Sequence, residues 1–141
     1  MCFIKTIKFK ELERYYITNI LKEDKVVIKI LYKESINSFF FKKCNYYSPY
    51  ESYKYIKGKL NISPLGIHIT RCHDDCNINI IINEGFHSFR TKEDANDYKT
   101  KLFNDSKKVV LCKCIIPKGS TIVYNDSEIV SNQIVFIEEL K

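Results

Sequence analysis

The sequence of 141 residues has little glycine and proline, four and three residues, and it has no tryptophan. This scarcity leaves no stretch with the composition of a flexible linker or a low-complexity tail. The apolar fraction of 45% and the charged fraction of 28% are typical of a globular protein. Because domains are commonly about 100–150 residues long, we expect residues 1–141 to form a single domain.

Long hydrophobic runs are also absent. The sequence has no window of about 18 apolar residues, so it predicts no membrane-spanning helix and no membrane partner. Lysines interrupt the apolar residues of segment 1–8, which therefore lacks the core of a signal peptide. We therefore expect the chain to stay in the cytoplasm and its six cysteines to be thiols.

No common catalytic or nucleotide-binding motif is present, such as GxSxG, HExxH, a P-loop or GxGxxG. Cys72 and His73 do not suggest a nucleophile and its base, since neighbours in sequence usually point apart. The spacing of Cys72 and Cys76 does not match that of Cys112 and Cys114, which argues against a tetrahedral zinc site. We therefore expect no enzymatic activity, no metal and no cofactor.

The charge is unbalanced, with 23 Lys and Arg against 17 Asp and Glu, a net charge of +6. A positive field favours anionic partners. The basic residues are scattered and form no run of five, so binding to duplex nucleic acid is not predicted. A small anionic ligand of the nucleotide type fits this pattern better.

The sequence does contain a series of short strands with turn signals between them. The predicted strands cover residues 3–9, 15–21, 25–33, 67–70, 78–82, 109–116, 120–124 and 128–138. Strands 15–21 and 25–33 are predicted to pair as a hairpin, although residues 11–21 could also form a helix. A polar loop is expected at residues 71–77. The predicted fold class is α+β, a mostly antiparallel β-sheet or sandwich of about eight strands with one clear α-helix.

The helix is the best-marked element and is predicted over residues 92–103. Thr91 is a suitable N-cap, and Glu93 and Asp94 lie in the first turn, where the positive end of the helix dipole favours acids. The apolar face of the helix is predicted to consist of Ala95, Tyr98 and Leu102.

Aromatic residues are concentrated between positions 38 and 55. Residues 38–43 include three consecutive phenylalanines and are predicted to be a buried strand. Residues 45–55 hold five tyrosines, which suits a loop or a sheet edge. So many amphipathic rings are typical of an interface, so a homo-oligomer or a protein partner is expected there. Packing of this segment against the sheet is the alternative.

The segment before the helix is the leading candidate for a ligand site. It is predicted to be a turn, where backbone N–H groups and the helix dipole could hold a phosphate. Arg90 could make a bidentate contact to that phosphate, and an aromatic ring could stack on a base. The candidate residues of this segment are Phe86, His87, Ser88, Phe89 and Arg90. The same residues could instead be core and capping residues.

Two further pairs of residues are candidates for the same ligand site. Arg71 and His73 lie in the predicted polar loop. Lys118 and Ser120 lie at the predicted turn 117–119, and their side chains could donate hydrogen bonds to a ligand.

The C-terminal part of the chain resembles small proteins encoded by phages and prophages. The shared motifs are Gly85-Phe86-His87-Ser88-Phe89, the turn Ile116-Pro117-Lys118-Gly119-Ser120 and the closing strand Ser131-Asn132-Gln133-Ile134. In size and basicity the chain is also similar to the phage sponges that counter Thoeris immunity. This resemblance implies a β-rich, oligomeric, non-enzymatic protein of the host bacterial cytoplasm. Such a protein would bind and sequester a cyclic nucleotide or cyclic ADP-ribose-type immune signal without cleaving it.

Two other functions remain open from the residues. The tyrosine-rich segment would suit a protein-binding inhibitor of host defence, such as an anti-CRISPR. An enzyme acting on nucleotides or ADP-ribose could use Arg71, Ser88 and Glu128, although these residue types are common.

Overall fold

The computed structural model describes residues 3–8, 17–49, 53–74, 77–103 and 108–141. Within these ranges the chain forms thirteen strands and one helix, which confirms the predicted α+β class. The strands are β1 (Phe3–Lys8), β2 (Ile17–Ile20), β3 (Lys25–Asn37), β4 (Lys42–Tyr47), β5 (Lys54–Tyr55), β6 (Leu60–Ile62), β7 (His68–Asp74), β8 (Asn77–Glu84), β9 (Phe86–Phe89), β10 (Val109–Ile116), β11 (Thr121–Tyr124), β12 (Glu128–Ser131) and β13 (Gln133–Glu139), and the helix is α1 (Lys92–Phe103).

The strands are arranged in two antiparallel sheets. The smaller sheet has the order β1-β8-β7, and the larger has the order β2-β11-β12-β9-β3-β10-β13-β6, with β4 paired to β3 and β5 paired to β4. Strand β3 is central because it pairs with β10 over residues 25–32 and with β4 over residues 32–37, and it meets β9 at Ile28.

One face of the larger sheet encloses the main apolar core. Its buried members come from seven strands, so the sheet curves around them. They are Val27, Leu31, Tyr55, Phe86, Cys112, Cys114, Ile116, Ile122, Ile129, Ile134 and Phe136. Alternation along β3 turns Lys29 toward the same face, between Val27 and Leu31.

The opposite face of the sheet packs against α1. Ile28, Ile30 and Tyr32, which alternate along β3, share this second cluster. From the helix, Ala95 is fully buried and Tyr98 packs beside it. Leu102 is exposed, contrary to prediction, and Phe103 contacts the cluster instead.

The bounds and the cap of α1 agree with the prediction. The Thr91 hydroxyl accepts a hydrogen bond from the Asp94 backbone N–H at 3.2 Å and donates one to the Asp94 carboxylate at 2.9 Å. This reciprocal arrangement satisfies an amide that the first turn would otherwise leave unpaired. No helix in the described ranges has the length and apolar character needed to cross a membrane.

Gly85 makes the sharp connection from β8 to β9. Its φ is +110°, a conformation that residues with a side chain rarely adopt. A Cβ atom at this position would lie 2.6 Å from Val130 Cγ1 and 3.3 Å from the Ser131 carbonyl oxygen. The close approach of β9 to β12 therefore requires glycine here.

The predicted hairpin of residues 15–33 is wrong in its pairing. Strand β2 pairs with β11, not with β3. The reason lies at Leu21, whose backbone exchanges hydrogen bonds with Gly119 and Ser120 and so ties the end of β2 to the β10–β11 turn. Of the helix considered for residues 11–21, positions 17–20 are strand, and 11–16 lie outside the described residues.

Other strand predictions need smaller corrections. The expected polar loop at residues 71–77 is mostly strand, since β7 continues through Asp74. Residues 128–138 form two strands, because Asn132 exchanges hydrogen bonds with Thr121 and interrupts the ladder. The turn at residues 117–119 is confirmed. Strands β11 and β12 pair as an antiparallel hairpin.

The three consecutive phenylalanines are not in a buried strand. Residues Ser38, Phe39, Phe40 and Phe41 form the exposed turn between β3 and β4. The prediction failed because both strands run beyond the body of the sheet before the chain reverses, which leaves no core for these rings to enter.

We expect Gly85→Ala to destabilise the protein by about 2–4 kcal/mol, since it combines backbone strain with a steric clash against Val130. Gly119→Ala is the matched control, because Gly119 also has a positive φ but open space around it. Chemical denaturation of both variants measures the difference. Equal losses of stability at the two positions would show that the contact with Val130 has no energetic weight.

Candidate functional site

A small cavity opens where the β3 and β9 strands approach the segment that contains β5. Its volume is about 110 Å³. The polar and aromatic residues of its lining are Lys29, Ser48, Tyr53, Tyr55, Ser63, Glu84, Phe86 and His87. Since one water molecule occupies about 30 Å³ of the liquid, the cavity could hold a group the size of a phosphate.

Lys29 is the most unusual residue of the cavity. Its side chain is only 4% exposed, and its ammonium group donates a hydrogen bond to the His87 carbonyl oxygen. The Tyr55 ring centroid lies 5.4 Å from Nζ, within range of a cation–π interaction. In the described part of the chain, no carboxylate forms an ion pair with it. Burial lowers the pKa of Lys29 to about 8.

Three aromatic rings form the apolar side of the cavity. Tyr53 and Tyr55 meet edge to face at a centroid distance of 5.0 Å, and Phe86 lies 6.0 Å from the Tyr53 ring. Tyr55 and Phe86 belong to the core, whereas Tyr53 is 41% exposed and lies at the rim. The Tyr53 hydroxyl donates a hydrogen bond to Asn61 at 2.9 Å, which fixes the orientation of the ring.

Two other titratable groups border the cavity. Burial, and then the charge of Lys29, lower the pKa of the His87 imidazole to about 3, so this ring is neutral at physiological pH. Glu84 is half-buried at the end of β8. The cavity thus combines one buried cation, a neutral imidazole and one carboxylate.

The structure separates the five predicted residues of the segment before the helix. They form strand β9 and its end, so the predicted turn is wrong: pairing with β12 draws the segment into the sheet. Phe86 and His87 line the cavity. Ser88 is buried and donates to the Ile129 carbonyl oxygen, and Phe89 packs on Tyr98 at 5.1 Å on the other face.

Arg90 lies apart from the cavity. It is exposed, its guanidinium donates to the Asn125 carbonyl oxygen at 3.3 Å, and it stands 5.7 Å from the centre of the Tyr124 ring. The helix N-terminus beside it already holds the Asp94 carboxylate against Thr91. That carboxylate would repel a phosphate, and buried Phe89 offers no face to a base.

Of the other predicted site residues, Lys118 and Ser120 do not line this cavity. Lys118 is exposed in the β10–β11 turn, where its backbone N–H donates to Asp24 at 2.8 Å. Ser120 is fully buried in the same turn region. Arg71 and His73 lie on β7, and their side chains are outside the described part of the structure.

The cysteines that the structure describes are thiols of two kinds. Cys112 and Cys114 are fully buried on one face of β10, and Cys44 is exposed. Burial raises the pKa of Cys114 to about 12 and that of Cys112 further, so neither is a thiolate at neutral pH. Cys76 and the Cys72 side chain lie outside the described residues. Among the residues that the structure describes, no three potential metal ligands cluster.

Lys29, Tyr53 and Tyr55 were not among the predicted site residues. A signal for Lys29 existed, because the period of two in residues 25–33 places this lysine between Val27 and Leu31 on an apolar face. The tyrosines were assigned to an interface, with packing against the sheet as the alternative, and that alternative holds for Tyr46 and Tyr55. Nothing in the sequence indicated that Tyr55 would lie over Lys29.

Comparisons of the chain with protein-family models, with curated proteins and with solved structures found no match.

We expect Lys29→Met to stabilise the protein at neutral pH by about 1–3 kcal/mol, because it removes a desolvated charge while keeping the side-chain volume. The unfolded pKa of lysine lies near 10.4, above the folded value of about 8. Between these two pH values the unfolded chain binds more protons at Lys29 than the folded protein does. The ionisation of Lys29 therefore makes the unfolding free energy of the wild type rise with pH.

The difference in unfolding free energy between wild type and Lys29→Met should therefore shrink from about pH 8 to pH 10. Taking the difference cancels the ionisation of Cys112 and Cys114, which acts in the opposite direction in both proteins. Urea denaturation of both proteins at several pH values measures this difference in unfolding free energy. A difference that does not vary with pH would contradict a lowered pKa at Lys29.

Proposed function

We propose that this chain is a non-enzymatic binding protein for a small anionic ligand of the nucleotide class, whose anionic group binds at Lys29. The observation that carries the proposal is a lysine side chain buried in a cavity, with no carboxylate partner in the described part of the chain. An ammonium ion has three N–H donors. One of them is donated to the His87 carbonyl oxygen, and an anion in the cavity could accept from the others.

The dimensions of the cavity restrict how such a ligand would bind. Pockets that enclose a drug-sized molecule are commonly about 300–1,000 Å³, several times the 110 Å³ found here. A phosphate group fits inside, but a whole nucleotide does not. The sugar and the base would therefore lie across the rim.

Tyr53 is placed to receive the base. Its ring is 41% exposed at the rim and is held by the hydrogen bond to Asn61. Stacking of a base on such a ring contributes about 1–3 kcal/mol without selecting one base strongly. Glu84 at the same rim could accept hydrogen bonds from ribose hydroxyl groups, while its charge would disfavour a second anionic group nearby.

The chemistry of the cavity supports binding rather than turnover. His87 is neutral and strongly disfavours protonation, and the nearby buried thiols are not thiolates. A general acid or base works best with a pKa near the working pH, and neither the imidazole nor the thiols have one. Lys29 does, at about 8, but its ammonium group is engaged by the His87 carbonyl oxygen, which suits it to holding an anion. Of the residues considered for an enzyme, Ser88 is buried with its hydroxyl donated to Ile129.

Such binding would suit the biological role that the C-terminal resemblance suggests. A phage-encoded protein that retains a cyclic nucleotide or cyclic ADP-ribose-type signal, without altering it, would lower the concentration available to a host effector. This role is part of the proposal, together with its setting in the bacterial cytoplasm.

Isothermal titration calorimetry with inorganic phosphate, AMP, ADP-ribose, cyclic ADP-ribose and adenosine tests the proposal. We expect the anionic compounds to bind and uncharged adenosine to bind at least tenfold more weakly. Lys29→Met should weaken binding of the anions by about tenfold to hundredfold. Affinity for ADP-ribose, whose diphosphate keeps its charge over this range, should fall as the pH rises through about 8, because Lys29 loses its proton.

Three matched variants identify the parts of the site. Tyr53→Leu should weaken the binding of AMP but leave the binding of inorganic phosphate unchanged. Glu84→Gln should strengthen the binding of phosphate, because it removes a repulsion between two negative charges. Arg90→Ala should have no effect. If Arg90→Ala abolishes binding while Lys29→Met does not, the site lies before the helix instead. Conversion of a bound nucleotide, seen by mass spectrometry, would contradict the non-enzymatic assignment.

A further inference from the structure

The hairpin of β3 and β4 projects from the body of the protein as an arm. All eleven residues from 34 to 44 are exposed, so both faces of this two-stranded ribbon meet solvent. The base of the arm is anchored by Glu139, which binds Lys33 Nζ at 2.8 Å and the Tyr46 hydroxyl at 2.9 Å. An isolated two-stranded ribbon is only marginally stable in water. We therefore expect a binding partner to stabilise this arm.

The tip of the arm presents three phenylalanine rings to solvent. Phe39 is 98% exposed, Phe40 90% and Phe41 56%. The turn is ordered by Ser38, whose hydroxyl accepts hydrogen bonds from the Phe40 and Phe41 backbone N–H groups at 3.3 and 3.2 Å. Phe39 and Phe40 meet edge to face at 5.6 Å. A defined turn thus holds large apolar side chains at the most distant point of the arm.

Positive charge lies directly behind this apolar tip. Lys42 and Lys43 follow Phe41, are exposed, and pair in register with Asn37 and Ile36 on β3. Apolar rings at the end and ammonium groups one step behind them match the layers of an anionic bilayer surface. There, aromatic rings enter the boundary of the acyl chains while lysines stay among the headgroups.

A second copy of the chain is a less suitable partner for the tip. The groove at the base of the arm, about 370 Å³ and lined by Tyr46, Tyr55 and Phe136, is large enough to receive a phenylalanine ring. However, Lys43, Lys54 and Lys57 also line it. An incoming arm would bring its own Lys42 and Lys43 against these lysines, and like charges in contact disfavour association.

We propose that the phenylalanine tip, residues 38–41 with Lys42 and Lys43, attaches the protein to membrane surfaces rich in anionic lipids. No residue of the tip lines the ligand cavity, so this proposal and the proposed function can be tested separately. The prediction of no membrane partner rested only on the lack of a segment long enough to span a bilayer, and attachment by a tip does not require one.

The lack of tryptophan in the chain permits a direct test. Phe40→Trp would place a single indole at the tip of the full-length protein. With phosphatidylcholine vesicles containing phosphatidylglycerol, its fluorescence should shift to shorter wavelength and be quenched by brominated acyl chains. With vesicles of phosphatidylcholine alone, partitioning measured from this shift should be at least tenfold weaker at the same lipid concentration. An indole that stays solvent-exposed with anionic vesicles would overturn the proposal.

Vesicle co-sedimentation of matched variants separates the apolar and charged contributions. Phe39→Ser combined with Phe40→Ser should reduce partitioning by about tenfold to hundredfold, and Lys42→Gln combined with Lys43→Gln by roughly tenfold or more. Leu102→Ser, and Lys92→Gln combined with Lys101→Gln, change exposed residues elsewhere and should have no effect.

The phenylalanine variants should keep the wild-type melting temperature, because both rings are in solvent. Light scattering of the lipid-free protein provides the other decisive reading. A wild-type dimer that becomes monomeric in the Phe39→Ser, Phe40→Ser variant would assign the tip to a second copy and overturn the membrane proposal. Vesicle binding that these two substitutions leave unchanged would do the same.

Discussion

One buried ammonium group, on the apolar face of the central strand, must be stabilised by the groups around it. Lys29 enters the core between Val27 and Leu31, where a charge without partners would cost several kcal/mol. The His87 carbonyl oxygen and the Tyr55 ring offset part of that cost. The small cavity beside them is where a negative charge from outside could offset the rest, which is why the proposed function is centred on this lysine.

The same strand connects the two proposed activities. The first part of β3 lies in the sheet and carries Lys29, and its last residues leave the sheet and form one side of the arm. The Glu139 contacts with Lys33 and Tyr46 mark the transition between the two parts.

Sequence reasoning succeeded where the determining forces are local. Helix α1 was predicted with its observed bounds, since its cap and first-turn acids act over a few residues, and β10 and the turn after it were also predicted correctly. It failed where long-range pairing decides: β2 pairs with β11 rather than with its neighbour β3, and the segment before the helix became a strand through its pairing with β12. Three consecutive phenylalanines suggested a core, and only the length of β3 and β4 beyond the sheet shows them to be a tip.

The protonation of Lys29 is the quantity on which the proposed binding depends most directly. NMR of the protein with ¹³C-labelled lysines, with the Lys29 signal assigned by its loss in Lys29→Met, would follow that protonation as the pH rises. We predict a midpoint near 8 in the free protein, and a midpoint raised by about one unit or more with saturating ADP-ribose, because a bound anion favours the charged amine. A midpoint near the ordinary lysine value of about 10.4, unchanged by the nucleotide, would contradict the account.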